Sequence, residues 1–318
     1  MALYLVTGGA GFIGSHLVER LLREGHRVRV LDDFSTGRKE NLAFGPLVDA
    51  SRMEVIEGDL RDLEVTAQAV SGVVGIFHLG AVPSVSLSVK NPIPTTEVNI
   101  VGTLHVLKAA SDHGVGRVVF SSSSSVYGNA NGRPLSEAEV GMPLSPYALS
   151  KRTGEEYMRL YSHLHGLETV SLRYFNVFGP RQNPLGEYAA AIPRFITFAL
   201  QGEPLPIYGD GRQTRDFTYI DNVVEATLLA MEAPIEGGEV FNVSAGSPVS
   251  LLELVDTLGD VLGQSLEVVH LPARPEDIRH SAAKLDRTSR GLGYTPKVSL
   301  TQGLQDTVEA FRNSFSRG

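Results

Sequence analysis

Tyr147 and Lys151 stand four residues apart in the string SPYALSK, a spacing that puts both side chains on one face of a helix. A phenol with an ordinary pKa of about 10 is a poor base. Beside a fixed ammonium charge it becomes a usable proton acceptor near neutral pH. Upstream, residues 117–120 read as a buried strand that opens into FSSSSSVYG. A serine hydroxyl from that strand end could hold a substrate oxygen in line with the phenol. Tyr-x-x-x-Lys pairs arise by chance, but this is the only one in the chain, and a nucleotide-binding signature precedes it.

The elements that must position these residues begin at the N-terminus. Residues 3–6 form a short apolar strand that runs into Thr7-Gly8-Gly9-Ala10-Gly11-Phe12-Ile13-Gly14, then into an amphipathic helix ending near Glu24 with Gly25 beyond it. A dinucleotide phosphate needs this order. Gly8 allows the tight turn, Gly11 lets the backbone approach the pyrophosphate, and Gly14 lets helix and strand pack closely. A second strand, 27–31, ends in Asp32-Asp33. An acid at this place takes the adenosine ribose hydroxyls and repels a 2′-phosphate, which selects NAD over NADP, with Asp32 the first choice. Further strands are expected at 53–57, 75–79 and 168–173, with helices over about 94–113 (containing Asn99) and 147–165. His78 reads as a packed strand residue. Strands alternating with helices give an α/β fold, a doubly wound parallel Rossmann-type sheet that binds ligands at the carboxyl ends of its strands.

Pro and Gly density rises after Tyr174, and from about residue 176 the pattern breaks into shorter elements. These are a helix near 192–200, strands at 205–208, 240–243 and 266–270, helices at about 221–231 and 251–262, and an amphipathic helix from about Leu300. Arg215 and Arg274 lie in loops and suit a diphosphate, because guanidinium forks match phosphate oxygens.

Composition narrows the function classes. A chain of 318 residues with 42% hydrophobic content can bury a large core. A net charge of -8 without a basic run argues against a nucleic-acid surface. With no cysteine there is no disulfide framework, no thiolate metal site and no cysteine nucleophile, and no metal is expected. The first strand starts at once, leaving no room for a signal peptide, and no apolar stretch is long enough to span a bilayer. The expectation is a cytoplasmic enzyme without a membrane partner.

Together, the Gly-x-x-Gly-x-x-Gly spacing and the Tyr/Lys pair resemble the extended branch of the short-chain dehydrogenase/reductase family. The strings GDGRQTRDFTYIDN and RPEDIRHS resemble its sugar-nucleotide epimerases, and the likeness covers residues 3 to about 315. The resemblance implies NAD contacts from Gly8, Gly11, Phe12, Ile13, Gly14, Asp32, Asp33, Asp59, Leu60, Leu79, Ala81, Asn99, Ser121, Tyr147, Lys151 and Tyr174. It selects Ser123 as the catalytic serine, with Ser122 and Ser124 as alternatives. On the substrate side it implies Ser84 near the sugar, Asn176, Arg215 and Arg274 on the diphosphate, Pro206 and Tyr208 against the uracil, and Asp277 on the ribose. Phe217 stands where the family often has tyrosine. Ser281 stands where glucose-restricted epimerases carry a bulky tyrosine, which implies a roomier sugar pocket.

The resemblance also divides the chain. Residues 1–175 and about 217–245 would form the NAD-binding domain, and about 176–216 with 246–318 a smaller α/β nucleotide-sugar-binding domain. Dehydratases of the family carry Asp-Glu before Val-Tyr-Gly, and UDP-glucuronate decarboxylases a Glu. Here those positions are Ser124 and Ser125, so dehydration is not expected. The expected activity is that of an isomerase, a NAD-dependent UDP-hexose 4-epimerase acting on the glucose/galactose pair, with the N-acetylhexosamine pair also open. UDP-glucuronate 4-epimerisation, another nucleotide-sugar oxidation or dehydration, and a non-catalytic NAD-binding regulator are the alternatives. The resemblance further implies a homodimer through four helices, with Tyr157, Leu160, Tyr161 and Leu164 candidates for that face.

Overall fold

In the computed structural model, which describes residues 1–130, 134–184, 190–273 and 278–315, strands and helices alternate from the start. The order is β1 (Leu3–Thr7), α1 (Phe12–Arg23), β2 (Arg27–Asp32), β3 (Met53–Glu57), α2 (Leu63–Val70), β4 (Gly75–His78) and α3 (Val85–Lys90). Then come α4 (Pro92–Thr96), a π-helical turn (Glu97–Val101), α5 (Gly102–Asp112), β5 (Arg117–Ser123), α6 (Pro146–His165) and β6 (Glu168–Tyr174). Shorter pieces follow: β7 (Val177–Phe178), α7 (Ala191–Gln201), β8 (Leu205–Tyr208), β9 (Thr214–Arg215), β10 (Thr218–Tyr219), α8 (Ile220–Glu232) and β11 (Glu239–Val243). The chain closes with β12 (Val249–Ser250), α9 (Leu251–Leu262), β13 (Val268–Leu271), β14 (His280–Ser281), α10 (Asp286–Leu292) and α11 (Leu300–Phe315).

Seven strands make one parallel sheet in the order β11-β6-β5-β4-β1-β2-β3. Helices cover both faces, so the central strands are buried on both sides: all four residues of β4 and six of the seven in β6 are buried. One apolar cluster joins α2, α5 and α6 through Ala69, Val106 and Met158. Another joins α1 and α8 through Leu17, Val18 and Val223 and continues into the shorter elements. Strand order reverses between β1 and β4, so the chain leaves their carboxyl ends in opposite directions and opens a crevice there. The glycine turn lies at that switch point.

Several elements differ from the sequence reading. β5 runs three residues further, because Ser121, Ser122 and Ser123 pair with Leu172, Arg173 and Tyr174 of β6. Partner-strand hydrogen bonds override the turn preference of serine. The helix expected over 94–113 is α4 and α5 joined by the π turn. α3 and α10 are additional, as are the two-residue pairings β7–β10 and β12–β9–β14. The strand expected at 266–270 is β13, shifted toward its carboxyl end. Tyr161 is 9% exposed and packs within its own chain, whereas Leu160 and Leu164 are 44% and 62% exposed. Among the described residues, no helix is long and apolar enough to cross a membrane, and no cluster of ligating side chains could hold a metal ion.

Candidate functional site

The turn after β1 is built on close backbone approach. Gly8 has φ +67°, and a Cβ there would lie 2.7 Å from the Gly80 nitrogen after β4. A Cβ at Gly14 would lie 2.1 Å from the Gly8 oxygen. Gly11 caps α1 without a side-chain hydrogen bond, which leaves the first amides of that helix to a ligand. Asp32, at the end of β2, is 7% exposed, and its two carboxylate oxygens accept the Phe34 and Ala10 amides at 2.9 and 2.8 Å. Burial raises its pKa against those hydrogen bonds. Asp33 points outward and caps its own turn through Ser35. Asp59 is paired with Arg61 at 2.6 Å, and Leu60 packs against Gly80 and Gly102. Phe12 and Ile13 open α1, and Leu79 and Ala81 flank Gly80. Close-packed glycines, free helix amides and an acid at the end of β2 fit a dinucleotide. Gly14→Ala is expected to weaken NAD binding roughly 30-fold, about 2 kcal/mol of overpacking. Titration of NAD into cofactor-free protein measures this, and an unchanged affinity would mean the turn relaxes without cost.

α6 places the phenol. Ser145 caps the helix by accepting the Ala148 amide at 3.1 Å, and Pro146 takes the first helical position. The Ser88 hydroxyl, fully buried on α3, accepts the Tyr147 amide at 3.1 Å. Ser123 hydrogen-bonds the Tyr147 hydroxyl and also accepts the Ser125 amide at 3.1 Å. Ser122 turns the other way and donates to Glu155 at 2.5 Å, so Ser123 faces the phenol and its neighbour does not. Lys151 is 3% exposed; its ammonium donates to the Ser121 carbonyl at 2.8 Å and lies 5.9 Å from the centre of the Tyr147 ring.

The electrostatics depart from the sequence reading. Burial pushes the Tyr147 phenol up, opposed by the Ser123 hydrogen bond, and burial pushes the Lys151 ammonium down to about 7. Desolvation is the largest cause for both groups. The folded pKa of Lys151 lies below its ordinary 10.5, so unfolding takes up a proton between those two values and stability rises with pH across that window. Lys151→Met, which removes the buried ammonium, is therefore expected to raise the Tm of NAD-free protein at about pH 7 and to raise it less at about pH 10. Equal shifts at both pH values in thermal melts would overturn the depressed pKa.

The remaining sequence candidates divide into two groups. Asn176, Pro206, Tyr208 and Arg215 line one cleft of about 280 Å³ with Phe217, Gln213 and Arg194. Asn176 holds a left-handed φ of 35°, and its amide donates to the Asp216 carbonyl at 3.2 Å. Arg215 lies in β9, where Ser281 of β14 pairs with it. Others make hydrogen bonds within the protein. Ser84 caps α3 by accepting the Leu87 amide at 3.1 Å. Asn99 clips both backbone groups of Val82, Ser121 contributes its carbonyl to Lys151, and the Tyr174 hydroxyl meets Thr227 at 2.8 Å. Arg274 and Asp277 lie outside the described residues. Sequence reasoning missed Arg194, whose guanidinium lies 5.8 Å from the centre of the Tyr208 ring, and Gln213, which donates to the Tyr208 carbonyl at 2.7 Å. The one available signal for Arg194 was its place in the first turn of the amphipathic helix that follows the Pro/Gly-rich break.

Residues 4–244 match the family model described as the NAD dependent epimerase/dehydratase family. The chain is 42% identical over 311 residues to the UDP-glucose 4-epimerase of Mycolicibacterium smegmatis, covering 97% of this chain and 98% of that one. Among solved structures it is similar to UDP-glucose 4-epimerase of Thermotoga maritima with UDP-glucose, at TM-score 0.92 and 38% identity over 98% of this chain and 99% of that one. It is also similar to UDP-N-acetylglucosamine 4-epimerase of Methanobrevibacter ruminantium in complex with UDP-N-acetylmuramic acid, at TM-score 0.93 and 37% identity with the same coverage of each chain.

Proposed function

Because the chain belongs to the NAD dependent epimerase/dehydratase family, we propose that it is a UDP-hexose 4-epimerase acting on the UDP-glucose/UDP-galactose pair and also on the N-acetylated pair. The observation that carries this reading is the Tyr147–Ser123 hydroxyl pair, with Ser124 and Ser125 rather than carboxylates opening the turn beside it. One base facing one oxygen can remove a proton and return it. Elimination of water needs a further acid and base, and that turn carries no carboxylate to supply them.

NAD, the cofactor of this family, supplies a hydride acceptor and donor when bound between the Gly8–Gly14 turn and Asp32. Tyr147 takes the proton of the sugar C4 hydroxyl and returns it, and Ser123 holds the same oxygen. Ionising the phenol at pH 7 asks for roughly 3 pKa units, about 4 kcal/mol, from its ordinary value, and burial adds to that demand. Lys151 supplies positive charge beside the phenol, and oxidised NAD would add to it when bound. Asn176 and Arg215, with Arg274, hold the diphosphate while the 4-keto sugar turns over. In this reading residues 1–175 with about 217–245 carry NAD, and about 176–216 with 246–318 carry the nucleotide sugar. The exposed Leu160 and Leu164 face a second copy of the chain.

Proton NMR of the purified protein with UDP-glucose and, separately, UDP-N-acetylglucosamine tests the proposal. Inversion at C4 in both tubes is expected. Inversion with UDP-glucose alone would discard the roomy pocket inferred from Ser281. No inversion in either tube with NAD supplied would sink the substrate assignment, and turnover of UDP-glucuronate would then replace it.

A further inference from the structure

His78 is buried at the end of β4, as a packed strand residue would be, but packing is only part of what it does. Its Nδ1 lies 2.7 Å from Thr7 Oγ1 and its Nε2 lies 2.9 Å from Thr103 Oγ1. The Thr103 hydroxyl is in turn 2.6 Å from the backbone oxygen of Asn99. A carbonyl can only accept, so the Thr103 hydrogen is committed to Asn99 and Nε2 must carry the imidazole proton. The bare Nδ1 then accepts from the Thr7 hydroxyl, whose oxygen accepts the Gly80 amide at 3.0 Å. Every donor in this chain has one acceptor, and the hydrogen bonds run in one direction from each end of the ring. Burial and the Lys151 charge hold the imidazole down to about 3, which keeps the ring neutral.

The two ends of the chain sit at the two halves of the site. Thr7 is the last residue of β1 before the glycine turn, and Gly80 is the residue whose backbone lies against Gly8. At the other end, Asn99 lies in the π turn; its amide clips Val82 and donates to the Ser150 hydroxyl at 3.0 Å. Ser150 donates to the backbone oxygen of Tyr147 at 2.8 Å. The ring also stacks on Phe120, and the Lys151 ammonium lies 4.9 Å from the centre of that ring on its own account.

We propose that His78 is a positioning residue, whose Nε2–H tautomer ties the cofactor turn at Gly8 and Gly80 to the backbone of Tyr147 through Thr103, Asn99 and Ser150. Its effect on turnover rests on the epimerase reading; the tautomer does not. An asparagine oxygen overlies imidazole Nδ1 and a glutamine amide nitrogen overlies Nε2, so the two substitutions cut opposite halves of the chain. His78→Asn keeps the Thr7–Gly80 half, and His78→Gln keeps the Thr103–Asn99 half.

Two measurements on the intact protein test this. In histidine-labelled protein, nitrogen-15 NMR is expected to give His78 as a neutral Nε2–H ring that does not titrate from about pH 5 to about pH 9. His78→Asn is expected to lower kcat about tenfold more than His78→Gln does, while His78→Gln weakens NAD binding about tenfold more than His78→Asn does. That crossed pattern is what general destabilisation would not produce. An Nδ1–H or charged ring would overturn the proposal, as would both variants losing kcat and NAD affinity in step with their loss of Tm. If the wild type inverts none of the UDP-sugars, the epimerase reading fails, and the ring signal and NAD affinities still decide the role of His78.

Discussion

Tyr147→Phe is expected to lower kcat by about 10³-fold while NAD stays bound and the fold is unchanged. The substitution removes one oxygen whose hydrogen-bond partner is Ser123, a residue that keeps its second partner, the Ser125 amide. The aromatic ring keeps its neighbours, and the backbone keeps Ser88 at its amide and Ser150 at its carbonyl. Nothing at the glycine turn or Asp32 changes. The loss should therefore fall on the proton transfer alone, and kcat should drop without a matching rise in KM. Steady-state kinetics with UDP-glucose, together with assay of nucleotide released on denaturation, separates the two quantities. Activity within about tenfold of wild type would place the proton acceptor elsewhere.

The largest expected loss of stability lies one turn below Lys151. Glu155 and Arg173 are 1% and 2% exposed and form a fork–fork pair, with Arg173 Nε at 2.9 Å and one terminal nitrogen at 2.7 Å from the carboxylate. Arg173 also donates to the Glu137 carbonyl at 2.8 Å and lies 4.7 Å from the centre of the Tyr127 ring. Tyr127 in turn donates to Asn242 at 2.5 Å, so the pair links α6, β6 and β11 beneath the serine-rich strand end. Glu155→Ala leaves a guanidinium buried without its counter-charge and costs about 3–5 kcal/mol. For a chain of this size the drop in Tm is on the order of 10 °C. Replacing both partners, Glu155→Leu with Arg173→Met, removes the stranded charge and should recover much of the loss. A single variant melting within about 1 °C of wild type would show that water reaches the pair.

The parallel sheet was legible because its signals are local. Short apolar runs, a glycine triplet at helix-entry spacing and a Tyr/Lys pair at one helical turn are each contained in a few consecutive residues. The doubly wound parallel class follows from the alternation of strand and helix, whereas the strand order came from the structure. Other features were not legible. Ser121, Ser122 and Ser123 look alike in sequence, and only the pleat of β5 turns Ser122 toward Glu155 and leaves Ser123 toward Tyr147. Ser88 and α3 carried no pattern that tied them to the Tyr147 amide. The π turn was hidden inside an ordinary helical run.

By itself, then, the sequence determined the alternation of strand and helix, the backbone freedom of the phosphate turn and the presence of a phenol, an ammonium and a hydroxyl within reach of one another. The tertiary structure decided the protonation chemistry. Lys151 was expected to lower the Tyr147 pKa, but burial acts on both groups and pushes them in the opposite sense. His78 was expected only to pack, but Thr7, Thr103 and Asn99 impose one tautomer on it. The physical reason is the same in both cases. Helix and strand periods depend on neighbours along the chain, whereas desolvation and hydrogen-bond direction depend on partners that only the folded packing brings together.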